Sequence, residues 1–154
     1  WLGGLNDCFA TKGFQFARIE TPSGKHFYVV NTHLDAGRNS SDRQARATQL
    51  QQIAAKMKLE ASEEALIVVG DLNLRWNDPE DRALLEAFKK DLGLTDSIKG
   101  VQAEGGWPIL DYVLYRNGSA ATFEVLEAGE DTVFQNEKGP LSDHPALFMK
   151  LLIY

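Results

Sequence analysis

The chain has 154 residues, 44% of them hydrophobic and 25% charged, with a formal net charge of −6. That is room for one domain with a packed core, and the acidic balance argues weakly against a protein held to nucleic acid by a basic face. The single cysteine, Cys8, excludes an intrachain disulfide and a cysteine-based zinc cluster. There is no apolar run of about 18 residues, so no transmembrane helix is expected. The compartment, cytoplasmic or secreted, stays open. The chain opens on Trp1 rather than methionine, and the expectation is a processed start or a piece of something longer.

Residues 1–12 read as a connecting arm, with Gly3-Gly4 and Asn6-Asp7 as turn signals. Residues 14–21 alternate Phe14, Phe16 and Arg18 against Gln15, Ala17 and Ile19, which predicts a strand. Pro22-Ser23-Gly24-Lys25 is a turn, and residues 26–34 form the second strand of a hairpin. After a polar loop with Gly37, Asp42 is the expected cap of a helix over 43–58. Its apolar side is Ala47, Leu50, Ile53, Ala54 and Met57; its polar side is Arg43, Arg46, Gln49, Gln52 and Lys56. Residues 65–69 have the length and β-branched content of a buried strand. Asn77 or Asp78 caps a second helix with Pro79 near its first position and Leu84, Leu85 and Phe88 as its stripe.

Residues 94–107 form a long connection suited to face a substrate. Residues 110–116 are a strand, Asn117-Gly118 a turn, and 121–126 the expected hairpin partner. Residues 129–140 are a polar loop, and 146–153 a last strand. The order β-β-α-β-α-β-β-β implies an α/β (α+β) domain, a mixed, mainly antiparallel sheet with helices on one face.

Four segments set polar groups at the ends of apolar strands: Asn31-Thr32-His33-Leu34, Gly70-Asp71-Leu72-Asn73, Leu110-Asp111-Tyr112-Val113 and Ser142-Asp143-His144-Pro145. Each has a plain alternative. His33 can be a rim histidine satisfied by a carbonyl, Asp71 and Asn73 turn residues, Asp111 an edge carboxylate, and Asp143-His144 part of a loop. Asp71 and Asn73, two apart, project to one side if the extended geometry continues.

In this order and spacing, the four motifs resemble the endonuclease/exonuclease/phosphatase family, whose fold is DNase I-like. The resemblance runs from Lys12-Gly13-Phe14 to the C-terminus. It implies the second half of a four-layer α/β sandwich and metal-dependent hydrolysis of a phosphate ester. His144 is then the base that activates water or the group that steadies it, with Asp111 holding its other ring N–H. Asp71, Asn73 and Asp143 contact a divalent cation, Mg²⁺ or Mn²⁺, or the phosphate and water; His33 donates to a phosphoryl oxygen.

The departure from the family pattern is the principal metal ligand. That glutamate belongs to the first half of the domain, and Glu20 does not match its motif. Residues 1–154 are therefore expected to be the C-terminal portion of one domain. The N-terminal half would be absent, and the bare sheet face would be covered by that half or by dimerisation. The substrate is a phosphate ester: a lipid head group, a nucleic acid or a small phosphoester. The loop Thr32-His33-Leu34-Asp35-Ala36-Gly37 followed by Arg43 is nearest to sphingomyelinase-like and general bacterial members. Trp76 and Trp107 sit in loops after motif residues, while Lys89, Lys90, Lys99 and Arg116 are too scattered for a nuclease groove. The alternatives are a nuclease of the same family and a catalytically incomplete binding module.

Overall fold

A computed structural model describes residues 11–98, 110–131, 133 and 135–154. The elements are β1 (Phe14–Glu20), β2 (His26–His33), α1 (Ser40–Glu60), β3 (Leu66–Asp71), α2 (Pro79–Leu92), β4 (Thr95–Asp96), β5 (Asp111–Arg116), β6 (Phe123–Asp131), β7 (Gln135–Asn136), β8 (Gly139–Pro140) and β9 (Ala146–Ile153). A five-stranded sheet runs β1-β2-β3-β5-β4; β6 pairs with β9, and β7 with β8. In the large sheet only β2 and β3 are parallel. Parallel neighbours need a crossover, and α1 supplies it. The mixed, mainly antiparallel sheet with helices on one face is thus observed.

Side chains alternate across the sheet. Val30, Leu66, Val68, Tyr112 and Leu114 face the helices and meet Leu50, Ile53 and Met57 of α1 and Leu85, Phe88 and Leu92 of α2. Phe27 and Ile67 point the other way, where Phe123 of β6 and Met149, Leu151 and Ile153 of β9 pack on them. The face expected to be bare therefore carries a second sheet.

Three local expectations are corrected. The strand 110–116 and the strand after it are not a hairpin, because β6 pairs with β9 instead. The chain between them is pinned against the start of β3. Ser119 N–H donates to Glu63 O at 2.8 Å, and a Cβ on Gly118 would strike the Glu64–Ala65 backbone. Asn117 Oδ1 accepts from Phe123 N–H at 2.7 Å, which starts β6 on its new course. Second, β6 runs on to Asp131, past a register shift between Val125 and Glu127, through residues expected in a polar loop. Third, α1 begins at Ser40, capped by Asn39; Asp42 is the third helical residue, and its carboxylate accepts from the Asn39 N–H at 2.8 Å. The second helix is capped as expected, Asp78 accepting from the Glu80 and Asp81 N–H groups. Residues 99–107 of the long connection lie outside the described residues.

Gly70 decides how closely β2 and β3 run at their shared end. It pairs with Thr32 at φ 133, and a Cβ there would run into the Thr32 carbonyl. Gly70→Ala is expected to cost about 2 kcal/mol or more, seen as a lower urea midpoint at unchanged slope. Gly93→Ala is the control, since Gly93 caps α2 at φ 67 with open space around it; about 1 kcal/mol is expected there. Equal losses at the two positions would show that the Thr32 collision is not the constraint.

Candidate active site

The strand register assembles the site. His33 ends β2 opposite Asp71, and Asp71 ends β3 opposite Asp111, the first residue of antiparallel β5. All three lie on the face turned away from the helices, at one end of the sheet. His144 comes in from the segment before β9, with its N–H donating to Ser142 Oγ at 3.1 Å.

His144 Nδ1 and Asp111 Oδ2 are hydrogen-bonded at 2.6 Å. Asp71 Oδ2 lies 3.9 Å from the same nitrogen and 3.5 Å from His33 Nε2. Asp71 Oδ1 accepts from the Asn73 N–H at 2.8 Å, and the Asn73 amide donates to Leu34 O at 3.0 Å. Asn73 adopts φ 50, a left-handed conformation that asparagine tolerates better than most residues. Tyr112, beside Asp111 in sequence but facing the helices, donates its hydroxyl to Leu74 O at 2.6 Å. Burial raises that phenol's pKa well above the ordinary tyrosine value.

Electrostatics separate the roles. Asp111's hydrogen bond, reinforced by the charges of Asp111, Asp71 and Asp143, raises the pKa of His144 against the opposing effect of burial. Burial, above all, raises the pKa of Asp71; the charge of Asp111 pushes the same way, while the Asn73 N–H and the two histidines oppose it. A carboxylate held partly desolvated beside another carboxylate is a place where a cation is favoured.

Asp71, Asp111 and His144 each offer a ligand atom, all within 4.8 Å of one another. Two hard oxygens and an imidazole fit a divalent cation. Of the six residues singled out in the sequence, the structure brings together His33, Asp71, Asp111 and His144. Asn73 joins them through its backbone N–H. Asp143 is exposed and acts on His144 through its charge.

Trp76 packs against the helix-side core and under Arg82, 5.7 Å from its ring; Trp107 lies outside the described residues. Lys89 pairs with Glu86 at 2.8 Å, and the Arg116 guanidinium is bound to the Glu64, Leu92 and Ala61 carbonyls. Neither joins a basic groove. Sequence reasoning missed Arg46, placed there on the solvent side of α1; it is 0% exposed and bonded to Asp81, itself 1% exposed. Phase was the available signal. Arg46 precedes Leu50, Ile53 and Met57 at the same spacing at which Asp81 precedes Leu85, Phe88 and Leu92.

A mixed sheet covered by two helices, with an Asp–His pair and a second aspartate across its strand ends, defines an α/β protein of the DNase I-like fold class. The chain belongs to the endonuclease/exonuclease/phosphatase family: the pattern for "Endonuclease/Exonuclease/phosphatase family 2" matches residues 2–105. It is 31% identical over 156 residues to a sphingomyelinase from Mycobacterium tuberculosis, and equally to one from Mycobacterium bovis. The match takes in 90% of this chain and 30% of the relative, so the chain spans less than a third of those proteins' length. Among solved structures, the mannosyl-6-phosphatase Bt3783 from Bacteroides thetaiotaomicron superposes with a TM-score of 0.68 at 18% identity, over 92% of this chain and 57% of that one. A Staphylococcus aureus beta toxin variant with bound magnesium ions superposes at 0.53 and 20% identity, over 93% and 57%.

In the metal-free protein, the His144 ring is expected to titrate above an ordinary histidine, and Asp111→Asn to bring it down by removing the largest cause. Ring-proton NMR against pH reads both. Linkage gives the sign for stability. The pair contributes fully below the unfolded histidine pKa of about 6.5, and the contribution is lost as pH rises through the raised folded value. An unmoved titration in Asp111→Asn would remove the pair as its cause.

Proposed function

We propose that this chain carries the water-activating wall of a divalent-metal site that hydrolyses phosphate diesters, with a sphingomyelin-type lipid as substrate. The observation that carries this reading is the 2.6 Å His144–Asp111 hydrogen bond beside Asp71. With Nδ1 donating to Asp111, the neutral ring presents Nε2 as an acceptor. A water at Nε2 gives up a proton as its oxygen bonds to phosphorus. The bond from phosphorus to the alcohol oxygen breaks, and that oxygen leaves with the electron pair and takes a proton from solvent. Asp111 stabilises the imidazolium that forms. His33, with its side chain 59% exposed and its ring beside Asp71, donates to a phosphoryl oxygen as negative charge builds there.

Asp71, Asn73 and Asp143, or Asp71 with Asp111, would hold the cation. When bound, Mg²⁺ or Mn²⁺ supplies the positive charge that a phosphoryl group among carboxylates requires. We read residues 1–154 as the C-terminal portion of the catalytic domain, with the remaining ligand, a glutamate, supplied from outside them. A second copy of the chain is the other candidate partner, packing on the outer side of the β6–β9 sheet, where Leu126 and Leu152 are exposed. The name carried by the mycobacterial relatives supports the lipid, and the absence of a basic groove among the described residues disfavours DNA.

Joined to the upstream half that supplies the glutamate, the chain with Mg²⁺ is expected to hydrolyse sphingomyelin faster than DNA, inositol phosphates or bis-p-nitrophenyl phosphate. EDTA should abolish turnover, and Mg²⁺ or Mn²⁺ restore it. His144→Ala should lower kcat by about 10²–10⁴-fold. Hydrolysis of none of the four esters would reject the enzyme reading in favour of a binding module. An unchanged rate in His144→Ala would remove the histidine, and a preference for DNA would make the protein a nuclease.

A further inference from the structure

Two loops carry the site: residues 34–39 follow His33, and residues 72–78 follow Asp71. They are joined next to the reacting groups by Leu34 N–H to Asp71 O at 2.9 Å and by the Asn73 amide to Leu34 O at 3.0 Å. Further back a second connection runs through charge. Arg46, in the second turn of α1, donates from Nη1 to Asp35 O and Gly37 O, both at 3.1 Å, and from Nη2 to Asp81 Oδ1 at 3.1 Å. Asp81, in the first turn of α2, accepts from Arg75 N–H on Oδ2 at 3.2 Å and from Arg43 Nε on Oδ1 at 3.2 Å. Gln49 closes the near side by accepting from Asp35 N–H at 2.9 Å.

From this we infer that Arg46 and Asp81 are a positioning pair: the buried bridge Asp35–Arg46–Asp81–Arg75 sets the spacing of the His33 loop against the Asp71–Asn73 turn. The inference rests on the phosphodiesterase reading of that site. Burying an ion pair brings little stability over apolar side chains of similar volume, so packing alone does not call for these residues. A planar guanidinium does something an apolar pair cannot. One nitrogen grips two carbonyls of one loop while another grips the carboxylate that holds the second loop. The turn so held includes Asn73 at φ 50, a conformation that persists where its surroundings enforce it.

The test compares the chain, joined to the upstream half that supplies the glutamate, with its Arg46→Met/Asp81→Leu variant, which keeps the interior filled and uncharged, and its Asp81→Asn variant, which keeps the volume and leaves an acceptor for Arg75. The probe is bis-p-nitrophenyl phosphate with Mg²⁺. Positioning predicts kcat lower by about 100-fold with KM within about twofold. Amide exchange supplies a readout that needs no turnover. Leu34 and Asn73 N–H groups, neither bonded to the pair, should exchange about tenfold faster or more, while Val68 and Leu114 in the same sheet keep their protection. Acceleration throughout the sheet would show a stability role only, and unchanged Leu34 and Asn73 would show no role; either overturns the proposal. If the unaltered chain hydrolyses no ester, the proposed function fails, and the exchange pattern alone decides the positioning.

Discussion

The site depends on strand register. Neighbouring strands lie about 4.8 Å apart, so residues paired across three strands form a row of side chains at that spacing on one face. His33, Asp71 and Asp111 form such a row because β2 pairs with β3 in parallel and β5 returns antiparallel. A slip of one residue in either pairing would turn part of the row to the helix face. The tight approach of Gly70 to Thr32 helps fix the first pairing. Burial at this strand end is the largest cause of the upward shift at Asp71.

The same strands serve the site from both faces. Asp111 points to the open face and holds His144; Tyr112, one residue on, points to the helices and holds Leu74 O behind the Asp71–Asn73 turn. Asp71 likewise uses its carboxylate on one side and its carbonyl, through Leu34 N–H, within the sheet. The turn is thereby fixed by groups that also belong to the core, which gives the row of His33, Asp71 and Asp111 a rigid footing.

Local patterns are readable where the signal is local. The buried run 65–69, the Pro22–Lys25 turn, the Asp78 cap followed by Pro79, and the 3.6-residue stripe of α1 all follow from side-chain chemistry within a few residues. The hairpin expected between 110–116 and 121–126 fails because strand partnership is a tertiary matter. Asn117-Gly118 looks like a hairpin turn, yet Gly118 is there to pass close to Ala65. Arg46 reads as a solvent residue only when charge is weighed above phase; on α1 it shares a face with Leu50, Ile53 and Met57, and its partner Asp81 repeats the arrangement on α2. Two opposite charges heading apolar stripes of identical spacing are a pattern carried by the sequence itself.

The cluster of Asp71, Asp111 and His144 can be used in two ways that exclude each other at one atom. As a ligand, Nδ1 of His144 must offer its lone pair; as the donor to Asp111, it must carry the proton. The 2.6 Å contact to Asp111 assigns the proton to Nδ1 and leaves Nε2 as the basic atom. Asp71 is then the carboxylate of the cluster that the His144 hydrogen bond leaves unengaged. It is desolvated, repelled by Asp111, and opposed only by one N–H and two neighbouring histidines. A cation held by Asp71 rather than by the imidazole, as proposed, would leave the Asp111–His144 pair intact, because the sheet register sets Asp71 one strand away from Asp111.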